Sequence, residues 1–399
     1  MQSFKNIVYT IIIFLIIFIG MQDFKFKVNI ENIEPIIILG LDSFNDGTLK
    51  LTFLRNPTEG TPSGTEESSS EEKQVTPDPA DNSKNSSIET PLALAVSGPT
   101  YNGSLKTAQN YSDKFLLTNS IKYYFIGENT ATERGILREI DFISGNENLR
   151  LNSRIFITKG LTSEELLQKA NKDLYSKLNT ILENTEQLEF VRNLSFLDVL
   201  RNINNTNSAS VIPTIEVTKI GGIDEANISG LAILKKDKII SYLNFDELIY
   251  YSLLRTNLKG FNIDIEDTTL GNMSFGMNIN KKDIDFEFDG NTLKKVKYNI
   301  HLMGNLKEMS LAQDLNSSEV VTNIENTISN QVKSNLYKIT TKSKLLETDF
   351  LRISDIVSSK YYNKWLNSQH HWDLIISDVE FEITVNTTIT RSFNLKNSI

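Results

Sequence analysis

Apolar positions along this chain fall into three regimes, and each predicts a different kind of element. The first is a mainly apolar run at residues 7–20, without a polar atom from Ile11 to Ile19, preceded by Lys5 and closed by Met21, Gln22 and Asp23. Helical, the stretch from Asn6 to Met21 spans roughly 24 Å, against a hydrocarbon core of about 30 Å. The run is apolar on every face, which fits an export signal or membrane anchor better than a core helix. Only Gly20 is small at its end, a poor peptidase signal, so residues 1–21 are expected to stay as an uncleaved anchor. Lys5 then marks the cytoplasmic side and the remaining chain lies outside.

The second regime mixes short apolar runs with helical periodicity. Residues 35–41 and 48–55, joined at Asn45, Asp46 and Gly47, read as a hairpin. A helix near 105–115, a strand at 121–126, a helix near 130–142 and a strand at 154–158 follow. Thr162 and Glu165 form a capping box that opens a helix with Leu166, Leu167, Ala170, Leu174, Leu178 and Ile181 on one face. A further helix carries Phe190, Leu194, Leu197, Leu200 and Ile203. Between these elements, residues 56–98 are rich in Ser, Thr, Glu, Pro and Asn, and no aromatic side chain occurs between Phe53 and Tyr101. Such a stretch cannot bury enough apolar area to offset its ordering entropy, so it reads as a disordered insertion. A polar boundary at 202–210 precedes strand-like segments around Ile215, at 228–234 and at 238–243, then a helix at 246–256.

The third regime is strict alternation: Phe275, Met277, Ile279; Ile284, Phe286, Phe288; Val296, Tyr298, Ile300, Leu302; and, after a long helix bearing Val321, Ile324, Ile328, Val332, Leu336 and Ile339, a last strand with Val379, Phe381, Ile383 and Val385 inward. The first three read as half-buried antiparallel strands, and the last as a further alternating strand with one solvated face. The expected fold is α+β in three domains, at 22–205, 206–272 and 273–399, each a mixed or antiparallel sheet with packed helices.

Chemistry is thin. Lys and Arg total 41 against 50 Asp and Glu, with no basic block, which excludes nucleic acid as a natural partner. There is no cysteine, so disulfides, thiolate metal sites and a cysteine nucleophile are excluded. Of the 3 His, His370 and His371 are adjacent and cannot easily share one metal, and His301 lies on the polar face of its strand. Asp264 and Glu266 share a face of an extended segment, as paired acids at a solvated strand face do. Gly221 and Gly222 lack the lysine and hydroxyl of a phosphate loop and read as a turn. No catalytic residue, cofactor or metal site is assigned. The only 2 Trp, Trp365 and Trp372, would share a helical face beside Tyr361 and Tyr362. They are either buried anchors or an exposed contact patch. Trp365 is the better core candidate, whereas polar His370, His371 and Asp373 make a surface place plausible for Trp372.

Three phrases resemble one family. The run Ile36, Ile37, Ile38, Leu39, Gly40, Leu41, Asp42 with Leu49, Lys50, Leu51 and Thr52 is similar to the opening strand pair of the C subunit family of GerA-type spore germinant receptors. Residues 229–238, beginning Ser229, Gly230, Leu231, are similar to its middle-domain strand and turn. Asp349, then residues 360–365 ending in Trp365, and Trp372 with Asp373 are similar to its C-terminal domain. The positions Gly40, Asp42, Gly230, Asp349, Trp365 and Trp372 thus stand as motif positions, structural or contacting a partner. The resemblance implies three α+β domains and no enzymatic activity. It also implies a place on the outer face of the spore inner membrane, beside two polytopic partner subunits. Whether this subunit touches the germinant is left open. Members usually carry a lipidated cysteine after the apolar run, and here none exists; Ser241 and Phe393 depart from the pattern too. An anchored hydrolase, a surface adhesin or a solute-binding protein are the other readings.

Because loop length enters closure entropy only logarithmically, deleting residues 59–90 is expected to leave the thermal midpoint within a few degrees of the parent. Melting of the two proteins side by side checks it.

Overall fold

The computed structural model describes residues 30–55, 93–169, 174–184, 191, 193–204, 209–268, 271–310 and 317–390. The expected anchor and most of the expected insertion, residues 56–92, lie outside them.

The first sheet is built on strands whose sequences are apolar without alternation. β1 (Ile33–Ser43), β5 (Tyr123–Gly127) and β6 (Arg154–Thr158) run parallel, with Leu39 beside Tyr124 and Tyr124 beside Ile155. Parallel strands are covered on both faces, which is why they read as continuous apolar runs. Tyr123, Phe125 and Phe156 point to one core, and Tyr124, Ile126, Ile155 and Ile157 to the other. α1 (Tyr101–Tyr111), α2 (Leu137–Ser144) and α5 (Phe196–Asn204) cover the second core. α3 (Ser163–Lys169), α4 (Leu174–Asn184) and α6 (Phe245–Arg255) cover the first. β2 (Leu49–Arg55) and β3 (Ala93–Gly98) extend the sheet antiparallel beyond β1, and β4 (Phe115–Leu117) pairs with the start of β1.

On the other side β6 pairs parallel with β7 (Ser210–Ile220), which turns through Gly221 and Gly222 into β8 (Ile223–Lys235) and then β9 (Lys238–Asn244). The sheet therefore has nine strands. Residues 206–272, expected as a middle unit, are divided: β7 to β9 join this sheet, while β10 (Phe261–Asp267) joins the second.

The second sheet, β10-β11-β12-β13, contains β11 (Gly271–Asp289), β12 (Thr292–Met309) and β13 (Glu380–Ile389). β13 runs parallel to β12 after the crossover through α7 (Ser318–Leu345). One face is solvated, as the alternation predicts: in β10 Asp264 and Glu266 point out and Ile263 and Ile265 in. α7 buries Ile324, Ile328, Val332, Leu336 and Ile339 against the other. Its side chains also blunt the sheet edges, where free backbone groups would otherwise invite pairing. Tyr337 Oη accepts from the Ile383 amide at 3.1 Å, Glu325 from Ile389 at 2.9 Å, and Gln331 donates to the Asp264 carbonyl at 2.8 Å.

Three expectations need correction. Residues 93–98, placed in the insertion, are β3, because Ala93, Leu94, Ala95 and Val96 pair along β2. The helix expected near 130–142 is a π-helical turn, Thr130–Arg134, and a separate α2, broken where Gly135 takes φ +84°. The strands expected around 275–279 and 284–288 are one strand, β11, whose inward phase passes from odd to even positions at a bulge between Ile279 and Lys281 while its pairing with β12 continues.

α6 ties the sheets together. A complete capping box at Asn244 and Glu247 starts it. Lys342 of α7 donates to the Tyr242 carbonyl at 2.6 Å and pairs with Glu247 at 3.2 Å. Farther along, Tyr251 donates to the Phe350 carbonyl and Arg255 to that of Leu351. Lys282 of β11 reaches the carbonyls of Leu253 and Thr256 where α6 ends. Its burial, with Arg255 nearby, pushes the Lys282 ammonium down to about 8.

Lys342→Met removes the contact between α7 and the start of α6 without opening a cavity. We expect it to lower stability by about 1.5–3 kcal/mol, the scale of a charged hydrogen bond. Denaturant melts of the two proteins measure the difference.

Candidate functional site

Five of the six motif positions gather around two buried carboxylates. Asp42 closes the apolar run of β1 and is fully buried. Its Oδ1 accepts from the Ser163 amide at 3.0 Å, and its Oδ2 from the Ser163 hydroxyl at 2.6 Å and the Glu164 amide at 3.2 Å. Those amides open α3, whose expected capping box is present: Glu165 N donates to Thr162 Oγ1 at 3.1 Å and Thr162 N to Glu165 Oε2 at 2.8 Å. Two glycines make the approach possible. A Cβ on Gly40 would lie 2.5 Å from Ser163 Oγ, and one on Gly127 would lie 2.1 Å from Asp42 Oδ1. Burial raises the Asp42 carboxyl above its ordinary range, against the three donors that pull it down. Beside it lies a second buried acid, Glu139 of α2, which accepts from Tyr101 Oη at 2.5 Å and is likewise raised by burial.

Asp349 repeats the arrangement in the C-terminal part. It is fully buried and follows the turn after α7. Oδ1 accepts from the Ile353 amide at 2.8 Å, and Oδ2 from the Ser354 amide at 2.7 Å and Trp372 Nε1 at 2.8 Å. One carboxylate thus caps α8 (Ile353–Lys360) and fixes the indole that opens α10 (Trp372–Asp378). Trp365, on α9 (Tyr362–Ser368), packs edge-on against Trp372 with ring centroids 4.9 Å apart. Trp365 is 9% exposed and Trp372 1%, so both belong to the core. The polar neighbours that suggested a surface place for Trp372 point outward while the indole turns in. Tyr361 packs on Phe286 and Phe288 of β11.

Gly230 completes the set. Its φ is +149°, and a Cβ there would lie 1.9 Å from the Leu243 carbonyl oxygen, so β8 meets β9 at a distance only glycine allows.

Gly40 and Asp42 thus meet at the start of α3, and Asp349, Trp365 and Trp372 meet at the start of α8, while Gly230 stands alone in β8. Sequence reading missed Glu139, Tyr101 and Ser163: nothing marks Glu139 within its helical run, and Ser163 lay hidden behind the Thr162 capping box.

Among the described residues no group of three or more His, Asp and Glu is placed to hold a metal. His301 contacts Asn280 and Thr388 on an exposed strand face, and His370 and His371 sit exposed in the turn between α9 and α10. Gly221 and Gly222, with φ of +61° and +89°, form the two-residue turn between β7 and β8.

The profile of the spore germination protein N-terminal domain matches residues 27–217. That of the spore germination B3/GerAC-like C-terminal domain matches residues 229–393. The chain belongs to the GerC family of germinant receptor subunits. It is 21% identical over 252 residues to the spore germination protein GerQC of Bacillus cereus, covering 62% of this chain and 68% of that one. Its fold is similar to the crystal structure of the GerBC protein, with a TM-score of 0.55 at 16% identity over 88% of this chain and 97% of the other. A role in spore germination goes with the family, and its C subunits are parts of multi-subunit receptors. The three GerC-like phrases coincide with the Asp42, Gly230 and Asp349 contacts.

All three groups facing Asp349 are donors, so Asp349→Asn turns an amide NH2 toward at least one of them. We expect it to cost about 1–3 kcal/mol, and Trp365→Ala to cost about 3–5 kcal/mol. A pH series separates the carboxylate's part. Burial raises the Asp349 carboxyl, so the folded state holds its proton more tightly than the unfolded chain. Wild-type stability minus that of Asp349→Asn should therefore fall as pH rises from about 4, the unfolded value, through the raised one, and then level off. A difference that rises over that window would contradict the assignment.

Proposed function

We propose that this chain is a non-enzymatic subunit of a nutrient-sensing germinant receptor, tethered outside the spore inner membrane by residues 1–21 and acting through contacts with two polytopic partner subunits. The observation that carries the reading is the ordered match of both GerC-family domains along the chain. Two features support the absence of catalysis. Asp42 and Asp349 spend their oxygens on protein donors, and of the three His, His370 and His371 are exposed side by side while His301 lies half-buried on a strand of the second sheet. Among the described residues no helix is long and apolar enough to cross a membrane, so tethering falls to residues 7–20. The six motif positions act as structure on this reading, holding a surface in shape for the partners and leaving contact to other residues.

Affinity purification of the tagged full-length chain from spore membranes is expected to bring down two polytopic proteins. Its amino-terminal sequence should begin before residue 7. Recovery of the chain alone, together with turnover of a substrate by the purified protein, would favour the anchored hydrolase.

A further inference from the structure

We propose that the uncovered half of β11 takes up residues 24–28 of a second copy of this chain as an added antiparallel strand. β10 pairs with β11 only from Gly271 to Met277, whereas β12 pairs with it through to Asp289. Among the described residues no main-chain group bonds residues 283–289 on the β10 side. None of the α7 side chains that blunt β10 and β13 bonds to this stretch, and Lys282, just before it, reaches back to the end of α6. Burial changes at the same place. Beside β10, Met273, Phe275 and Met277 are 3%, 1% and 0% exposed. Past it Ile284, Phe286 and Phe288 are only half-buried, although their neighbours on β12, Tyr298 opposite Ile284 and Val296 opposite Phe286, are buried. Tyr361 packs on Phe286 and Phe288, and the Lys364 ammonium lies 4.2 Å from the Phe288 ring centre. What these side chains lack is a neighbour on the open side of β11.

The other face of the same stretch is acidic, with Asp283, Asp285, Glu287 and Asp289 all exposed. Asp283 pairs with Lys281 and Glu287 with Lys297, while Asp285 and Asp289 have no ion pair among the described residues. Facing residues of paired strands share a face, so a strand that fits this edge alternates apolar with basic side chains. A second β11 edge does not fit, because its acids would meet these acids. The chain itself carries the match. Ahead of β1 stand Phe24, Lys25, Phe26, Lys27 and Val28. Antiparallel, with Phe24, Phe26 and Val28 beside Phe288, Phe286 and Ile284, the register sets Lys25 against Glu287 and Lys27 against Asp285. Main-chain bonds would supply the pairing and these side chains its register. Within one molecule residue 28 lies about 7 Å of chain at most from Ile30, which leads straight into β1 between β4 and β2. The segment of one copy therefore stays beside its own first sheet, and a second copy brings it to β11. The exchange closes when each copy gives its segment to the other, as in a twofold dimer.

The inference does not rest on the receptor reading. The test is sedimentation of the detergent-solubilised full chain over a concentration series, which should show a monomer–dimer equilibrium. A synthetic peptide of residues 24–29 should shift it saturably to monomer, and the same peptide with Lys25→Glu and Lys27→Glu should be at least about tenfold weaker. In the full chain, Lys25→Glu with Lys27→Glu should weaken association at least about tenfold, and so should Asp285→Lys with Glu287→Lys. All four substitutions together should restore it. Should the Asp285 and Glu287 pair alter the thermal melt, the Lys25 and Lys27 pair, which precedes both sheets, and the peptide decide the matter. A monomer at every concentration, or a dimer indifferent to the peptide or to the Lys25 and Lys27 pair, would overturn the proposal. So would a fourfold variant that melts like the parent and stays monomeric.

Discussion

A helix that begins against a buried sheet presents amide N–H groups where water cannot reach, and each one left unpaired costs about 1–3 kcal/mol. This chain meets that constraint twice with an aspartate from a distant segment. Asp42 reaches α3 across 121 residues of sequence, and Asp349 joins the start of α8 to the indole of Trp372. Neither is a favourable place for a charge: burial raises both carboxyls, and the donors only partly offset it. What the arrangement secures is geometry. Asp42 fixes how α3 sits on β1, with Gly40 and Gly127 bare so that the carboxylate fits. Asp349 fixes how three short helices, each too brief to be stable alone, stack on the second sheet.

Legibility followed the range of the interaction. Period-two alternation is local, so the strands of the second sheet and the buried stripe of α7 were visible in the residues, as was the Thr162 and Glu165 box. The pairing of β6 with β7 was not, because it rests on two residue pairs more than fifty positions apart, Ile157 with Thr214 and Thr158 with Ile215. The break at Gly135 was not read either: a single glycine is tolerated inside a helical pattern, and only the positive φ shows that the chain stops and restarts. Asp42, Gly230, Asp349 and the two Trp were picked out by resemblance. Their work is tertiary: an aspartate that caps a helix in its own segment can be read from spacing, while one that caps a helix elsewhere in the chain cannot. Trp372 shows the limit of neighbour polarity, since His370, His371 and Asp373 are exposed around an indole that is not.

The boundary between the two family domains has a mechanical meaning that differs from its place in the sequence. The N-terminal match ends at residue 217 in β7 and the C-terminal match begins at residue 229 in β8, so the junction falls inside one antiparallel hairpin. A hairpin with eleven paired positions is not a hinge. The second sheet is held in turn by Lys342, Tyr251, Arg255 and Lys282 at both ends of α6, so β1 connects to β13 through an unbroken series of strand pairs and side-chain bonds. Along the parallel ladder β1-β5-β6-β7 the shortest pairing is that of β6 with β7, two residue pairs, against eleven between β7 and β8. The same series of contacts opposes displacement of one sheet against the other, because the hairpin β7–β8 and both ends of α6 would have to give way with it.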